Sequence, residues 1–412
     1  MRSVRSAPIA LGLTLFAVYA ITLGLHAQHG SRLTAAEAHV LMTAASMADD
    51  GDLDLRNQYG QHTWRKFYRG TLRPTARPDA AGRVLEPQGV GLPLLLAAPY
   101  KAGGATLVRL LLAALAAIAF VLAAALARRL VPDPWATLAA LAFGLSPPVV
   151  AAATAVRPEI PAAAALAGAA VLALRIRDDP HAPDTFWAAM LLGAVPWIAL
   201  PAIVPAIVIA LAMTRWLRRR RRGLAGFIAL EVVLTSLVVF ITVNDRLYGG
   251  LTPYAGRLHP GPATGIDDVG DVVGRVPHLF VLLGELLRWA PVAAMAFAGA
   301  FLIWRTHRGR LVRVVHEHVH VEVVAAFLGL TFGTQLLAAA FLAPHVHGAW
   351  FPTRYLVPVL PFAAALAAWG FRRYPRWSFG LSALTAALTV WMLVAGLTAD
   401  ATLAPPDGFG FA

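Results

Sequence analysis

The stretch TAAEAHVLMTAASMADDGDLDLRNQY, residues 34–59, sets the problem of this chain, because it gathers Glu37, Asp49, Asp50, Asp52 and Asp54 directly after a first apolar run. Acids are scarce elsewhere: the 412 residues are 58% hydrophobic and 14% charged, with a mean hydropathy of +0.64. Around the stretch, Leu33, Glu37, Val40, Leu41, Ala44 and Met47 recur at three- or four-residue spacing. That period predicts an amphipathic helix lying on a membrane surface, with Glu37 on its apolar face. Two readings of Glu37 stand side by side. Thr34-Ala35-Ala36-Glu37 has the form of a capping box, in which the glutamate bonds back to the helix start. A partly desolvated carboxylate on such a face also suits a general base.

Working outward, apolar runs of helical length follow one another along most of the chain. A bilayer offers the backbone no hydrogen bonds, and these Ala/Leu/Val-rich runs are too long for barrel strands, so the expected class is all-α: a polytopic transmembrane helical bundle forming one domain over 1–412. Taking about 20 apolar residues per span, the candidates are 8–25, 105–127, 135–154, 158–175, 224–243, 290–304, 321–342, 355–371 and 378–398. The run 186–213 is too long for one span and carries Pro196, Pro201 and Pro205, so it reads as a tight pair of short helices. About eleven spans result. Arg2 and Arg5, Arg128 and Arg129, Arg175 and Arg177, RWLRRRRR (215–222), RTHRGRLVR (305–313) and RRYPR (372–376) then share one side. By the positive-inside rule this puts the N-terminus inside, the C-terminus outside, and the chain in the cytoplasmic membrane as a multi-pass protein.

The net charge of +13 and pI near 11.0 come from arginines that end apolar runs, not from one stripe, which argues against a nucleic-acid partner. With no cysteine, disulfides and thiolate metal sites are excluded. The Asp49–Asp54 run lacks EF-hand spacing at Gly51, so a solvated turn is the better reading than a divalent metal site. His316 and His320 have a one-turn spacing compatible with zinc but fall on the arginine-rich side, where interfacial packing accounts for them. Glu231 is the acid well inside a span; a protonated carboxyl or a contact with the 215–222 arginines accounts for it without function.

The polar chemistry gathers on the other side, in 26–104, AVRPE (155–159), the segment from 243 to 276, and APHVHGAWFPTRY (343–355). The ordered series of residues 34–59, then GVGLPLLLAAPY (89–100), VRPEIPAA (156–163), YGGLTPYAG (248–256) and TRYLVPVLP (353–361) resembles the GT-C integral-membrane glycosyltransferases, which use polyprenyl-phosphate sugars and include protein O-mannosyltransferases and lipid A aminoarabinose transferases. The resemblance spans most of the chain. It implies an acidic first outer loop (26–104) with two interfacial helices, a site between that loop and the outer ends of the bundle, and transfer of a sugar from a polyprenyl-phosphate donor to an acceptor outside. In those families the loop offers an Asp-Glu pair followed by His, and its acid is the base. Here Ala36 stands where the Asp would be, Glu37 and His39 remain, and Gln88 replaces the basic residue often found before GLP.

The implied assignment makes Glu37 the base. Arg354, Arg157 and Arg56 become candidate cations for the departing phosphate, although interfacial snorkelling explains the first two equally well. His39, Asp52, Asp54, Gln88, Glu159, Tyr248 and His347 complete the expected substrate contacts, with Glu159 alternatively pairing with Arg157. The partners implied are a lipid-linked sugar donor, membrane lipid and an unidentified acceptor; no soluble cofactor is implied. Two other classes compete. The loss at Ala36 and Gln88 fits a GT-C-fold protein that binds or flips lipid without chemistry. A secondary transporter would need matching ionisable residues in two halves, which the chain lacks.

Overall fold

The computed structural model describes residues 3–24, 32–220, 222–258, 269–310, 316–342 and 352–398. Among these there is no strand, only an isolated bridge between Ala76 and Arg257. The chain is an all-α, multi-pass membrane protein. Helix α1 (Ser3–Ile21) leads to the loop helices α2 (Ala35–Asp49) and α3 (Arg56–Gly60), then to α4 (Gly91–Ala127). Next come α5 (Trp135–Gly144), α6 (Pro147–Thr154), α7 (Glu159–Asp178), α8 (Ala182–Ile198), α9 (Ile203–Arg219) and α10 (Gly223–Tyr248). The remainder is α11 (Val269–Gly274), α12 (Val276–Trp289), α13 (Ala294–Arg310), α14 (His316–Leu342), α15 (Leu360–Arg373) and α16 (Pro375–Leu397).

By length and composition eight of the described helices can cross a membrane, or ten segments if two bent pairs each count as one span. This lowers the expected eleven. Residues 135–154 form α5 and α6, bent by 61°, and the expected span 290–304 is the second limb of a pair bent by 117° at Trp289. The helix α12 before that bend lies partly in a segment read as loop. The pair expected over 186–213 is present as α8 and α9, although α8 has 17 residues. Arginine clusters from three segments meet at one end: Arg128 pairs with Asp133, Arg129 with Asp178, and Arg220 donates to the carbonyls of Arg177 and Asp178. Arg177 also reaches His320 Nδ1 at 2.6 Å. Glu231 is exposed on α10, a peripheral helix whose apolar window is only 17% buried, whereas that of the central α15 is 83% buried.

Bent helices expose backbone groups that lipid cannot satisfy, and neighbours supply the partners. At the α5–α6 break, Tyr19 Oη donates to Gly144 O at 2.7 Å and Thr389 Oγ1 to Leu145 O at 2.6 Å. At the α12–α13 break, Val292 N donates to Thr385 Oγ1 at 3.1 Å. Two hydroxyls four residues apart on α16 therefore complete both breaks. Thr389→Val is expected to lower stability by about 1–2 kcal/mol, because the Leu145 carbonyl is left unpaired; thermal unfolding in detergent against Leu384→Ala, at a position half exposed to lipid, checks this.

The loop of residues 32–104 has a small core of its own, in which Leu33, Leu41, Met42, Leu55, Trp64, Tyr68 and Leu72 pack on Leu92, Leu96 and Leu112 of α4. This corrects the surface-helix reading of α2: residues 37 to 46 are all buried, so the middle of α2 is covered on every side. Helix α4 bends at Gly103 and Gly104, where Gly104 has φ +63°, a conformation that side chains with a Cβ disfavour.

Candidate functional site

The loop end of the bundle collects the candidate residues through two clamps. The first is Glu37. Its Oε2 accepts from Thr34 N (2.7 Å) and Thr34 Oγ1 (2.8 Å), while Glu37 N donates to Thr34 Oγ1 at 3.3 Å, so the capping box is formed. Its Oε1 accepts from Val156 N at 2.7 Å, a partner 119 residues away. One carboxylate thus caps α2 and pins the α6–α7 turn. Arg109 of α4 grips the same turn, donating from Nε to Thr154 O at 3.1 Å. Together they fix Arg157 and Glu159, the latter at the first position of α7, where the helix dipole favours a carboxylate.

The second clamp is Glu86, a residue the motif reading passed over. Its side chain is fully buried. It accepts from Tyr59 Oη and Thr75 Oγ1 through short hydrogen bonds, and from Thr75 N at 3.1 Å. His39 Nδ1 lies 3.0 Å from Tyr59 Oη and 3.5 Å from Glu86 Oε1. Because the one phenolic hydrogen goes to Glu86, the His39 bond requires a hydrogen on Nδ1. Burial pushes the Tyr59 phenol well above its usual range, reinforced by Glu86, so it remains a neutral donor. Burial also pushes His39 below its usual 6.5 and outweighs the opposing pull of Glu86. The sequence signal available for Glu86 was its place in VLEPQG, an acid in an apolar context with no local partner.

The sign of the His39 shift gives a pH expectation. The unfolded ring takes a proton as pH falls below 6.5 while the folded ring resists it, so stability is fully present above that value and declines as the pH is lowered from 7 towards 5. His39→Asn is expected to flatten this part of the curve. Melting temperatures at pH 5, 6 and 7 for both proteins check it; equal slopes reject it.

Around these clamps stand the remaining candidates. The 3-10 turn Pro352–Val359 packs against α7 and carries Arg354 and Tyr355. Arg354 NH2 donates to Tyr355 Oη at 2.7 Å, and its guanidinium lies over that ring, 4.6 Å from the centroid. Tyr254, itself under Arg257 at 4.4 Å, is within electrostatic reach of Arg354, Tyr355 and Glu159. Tyr248 feels Glu86 in the same way. Gln88 Nε2 donates to Ala36 O at 3.3 Å. Gly91 lets α4 start against the Trp197 carbonyl, which a Cβ there would overlap. Among the described residues, the buried polar atoms in this region without a partner include Gln88 Oε1, Glu159 Oε2, Thr353 Oγ1 and Arg354 Nε. Buried polar atoms are rarely left so.

Other expected contacts are placed elsewhere. Asp52 accepts from Ser46 Oγ at 2.8 Å and Asp54 N at 3.2 Å. Arg56 is exposed and paired with Asp54 at 2.7 Å. Asp54 also accepts from Val84 N at 3.0 Å. Burial raises the Asp54 carboxyl, but the hydrogen bonds from Arg56 and Val84 prevail and hold it below the usual range. These three therefore tie the end of α2 to residue 84, within the loop. His345 and His347 lie outside the described residues.

No family model matches the chain, and no curated protein matches it by sequence. Its structure is similar to solved structures of ArnT from Cupriavidus metallidurans. The apo form superposes with a TM-score of 0.59 at 15% identity, over 94% of this chain and 69% of that one. The form bound to undecaprenyl phosphate gives 0.57 at 16% identity, over 96% and 72%. At such identities the likeness concerns the fold.

Proposed function

On the premise that the chain has the GT-C fold of ArnT, we propose that it is a membrane glycosyltransferase taking a polyprenyl-phosphate-linked sugar at the loop end of the bundle, on the outer face of the cytoplasmic membrane. The observation that carries this is the set of unpartnered buried atoms on three elements, Gln88 Oε1, Glu159 Oε2 and Arg354 Nε. A phosphate oxygen would accept from Arg354, and sugar hydroxyls would donate to Glu159 and Gln88. In the reaction the acceptor oxygen attacks the anomeric carbon, the bond from that carbon to the phosphate oxygen breaks, and the polyprenyl phosphate leaves with the electron pair. The hydroxyl proton passes to a carboxylate, and the displacement inverts the anomeric centre. Glu37 is the base in this proposal: its Oε1 has a single hydrogen-bond partner, Val156 N, which leaves one lone pair. Arg354 and Arg157 are the cations that stabilise the leaving phosphate.

A second reading, a GT-C-fold protein that holds or flips the lipid without chemistry, is favoured by one specific observation. Ala36 is exposed beside Gln88, so the position that carries the first acid in related motifs opens on the site with no carboxylate. Native mass spectrometry of the protein gently extracted in detergent tests what both share: a co-purified polyprenyl phosphate, with or without sugar, supports the lipid site, and bulk phospholipid alone rejects it. Ala36→Asp then separates the two readings. Sugar transfer by wild-type protein supports the enzyme, whereas transfer only after Ala36→Asp supports the degenerate reading.

A further inference from the structure

Away from that site the loop end carries a second concavity, a cleft of about 550 Å³ between residues 65–69 and the membrane-entry turn of α4. Arg32, Arg65, Lys66, Arg69 and Arg109 line it, and no carboxylate does. Arg32, Arg65, Lys66 and Arg69 are exposed and make no ion pair among the described residues. Arg109 differs: it is only 8% exposed, at the buried side of the cleft, and within reach of the charges of both Glu37 and Arg32. Glu37 is the carboxylate within its reach. One carboxylate cannot balance five cations, so the cleft keeps a net positive field. Like charges so placed repel one another, and a multivalent anion between them adds an attraction to each that offsets this repulsion.

The depth of the cleft identifies the anion's carrier. Ala105, Thr106 and Arg109 follow the Gly103–Gly104 turn and begin the apolar run 105–127, the part of α4 long enough to cross a bilayer. That is head-group level, and Leu33, Phe67 and Ala105 add apolar wall. We propose that this cleft binds the phosphate head group of an anionic membrane lipid, with Arg109 at its base and Arg65, Lys66 and Arg69 at its rim. Arginine forks match phosphate oxygens two at a time, and each cation near such a surface adds to the attraction. The proposal does not depend on sugar transfer, because Arg65, Lys66 and Arg69 are not part of the donor site around Glu159 and Arg354, and Arg109 bears on that site only through its bond to Thr154 O.

The test uses the full chain in detergent, with dioleoyl phosphatidic acid and dioleoyl phosphatidylcholine as probes and bound lipids counted by native mass spectrometry. One phosphatidic acid retained in preference to phosphatidylcholine is expected. The triple variant Arg65→Ser, Lys66→Ser, Arg69→Ser changes only exposed side chains and is expected to weaken that binding on the order of tenfold or more. The matched variant Arg215→Ser, Arg218→Ser, Arg219→Ser loses equal charge at a second basic hollow and is expected to retain it. Equal loss in both variants, or equal retention of the two lipids by wild type, overturns the proposal. Displacement by inorganic phosphate at the same concentration as the lipid overturns the lipid as carrier, since the phosphate group alone then accounts for binding.

Discussion

Replacing Glu86 by alanine is expected to lower the stability of the protein by about 3–5 kcal/mol, the range for removing one member of a buried charged network. The reason is that three donors converge on this carboxylate, Tyr59 Oη, Thr75 Oγ1 and Thr75 N, and all of them become unpaired in a region closed to water. His39 loses its neighbouring charge as well. Glu86→Gln keeps one acceptor oxygen and is expected to fall between alanine and wild type. Tyr59→Phe, after which Glu86 still accepts from Thr75 N and Thr75 Oγ1 and His39 Nδ1 still lies 3.5 Å from the carboxylate, is expected to cost least. Thermal unfolding of the three variants in one detergent orders them. An alanine variant no worse than Tyr59→Phe would show that the carboxylate does not hold the loop.

The second large effect concerns Glu37, in which stability and chemistry must be separated. Glu37→Ala removes an N-terminal cap, about 1 kcal/mol, and leaves Val156 N unpaired, about 1–3 kcal/mol more. It also strips Arg109 of its nearest carboxylate. Glu37→Gln keeps the shape and one acceptor oxygen but cannot take a proton. If Glu37 is the base, Glu37→Gln is expected to lower transfer by at least about a hundredfold, the scale of a general base, with the protein still folded. Thr34→Ala supplies the control, since it weakens the cap while leaving the carboxylate in place. An active, folded Glu37→Gln protein would sink the base assignment and leave Glu37 as the brace of the α6–α7 turn.

Glu37 also shows where a sequence stops speaking. Its capping role was legible from four consecutive residues, because a capping box is local. Its bond to Val156 was not, since no period or spacing encodes a contact across 119 residues. The same division explains Asp52, Asp54 and Arg56. Their acidity marked the loop as polar, yet the structure spends them on Ser46, Val84 and one another. Glu86 carried no motif and became the centre of a network because folding of the loop brings residues 39, 59 and 75 around it.

By itself the sequence determined that the chain is an all-α membrane protein with one loop-rich end, because lipid admits only self-satisfied helices and apolar length is written directly in composition. It also marked the helix pair over 186–213, through prolines that act locally. The tertiary structure alone decided which apolar runs bend. The breaks after Gly144 and Trp289 persist because hydroxyls of Tyr19, Thr385 and Thr389 reach them from distant helices. It likewise decided that residues 37–46 of α2 are buried on all sides and that five cations share one cleft. Burial and field depend on what packs against a residue, and that partner lies elsewhere in the chain.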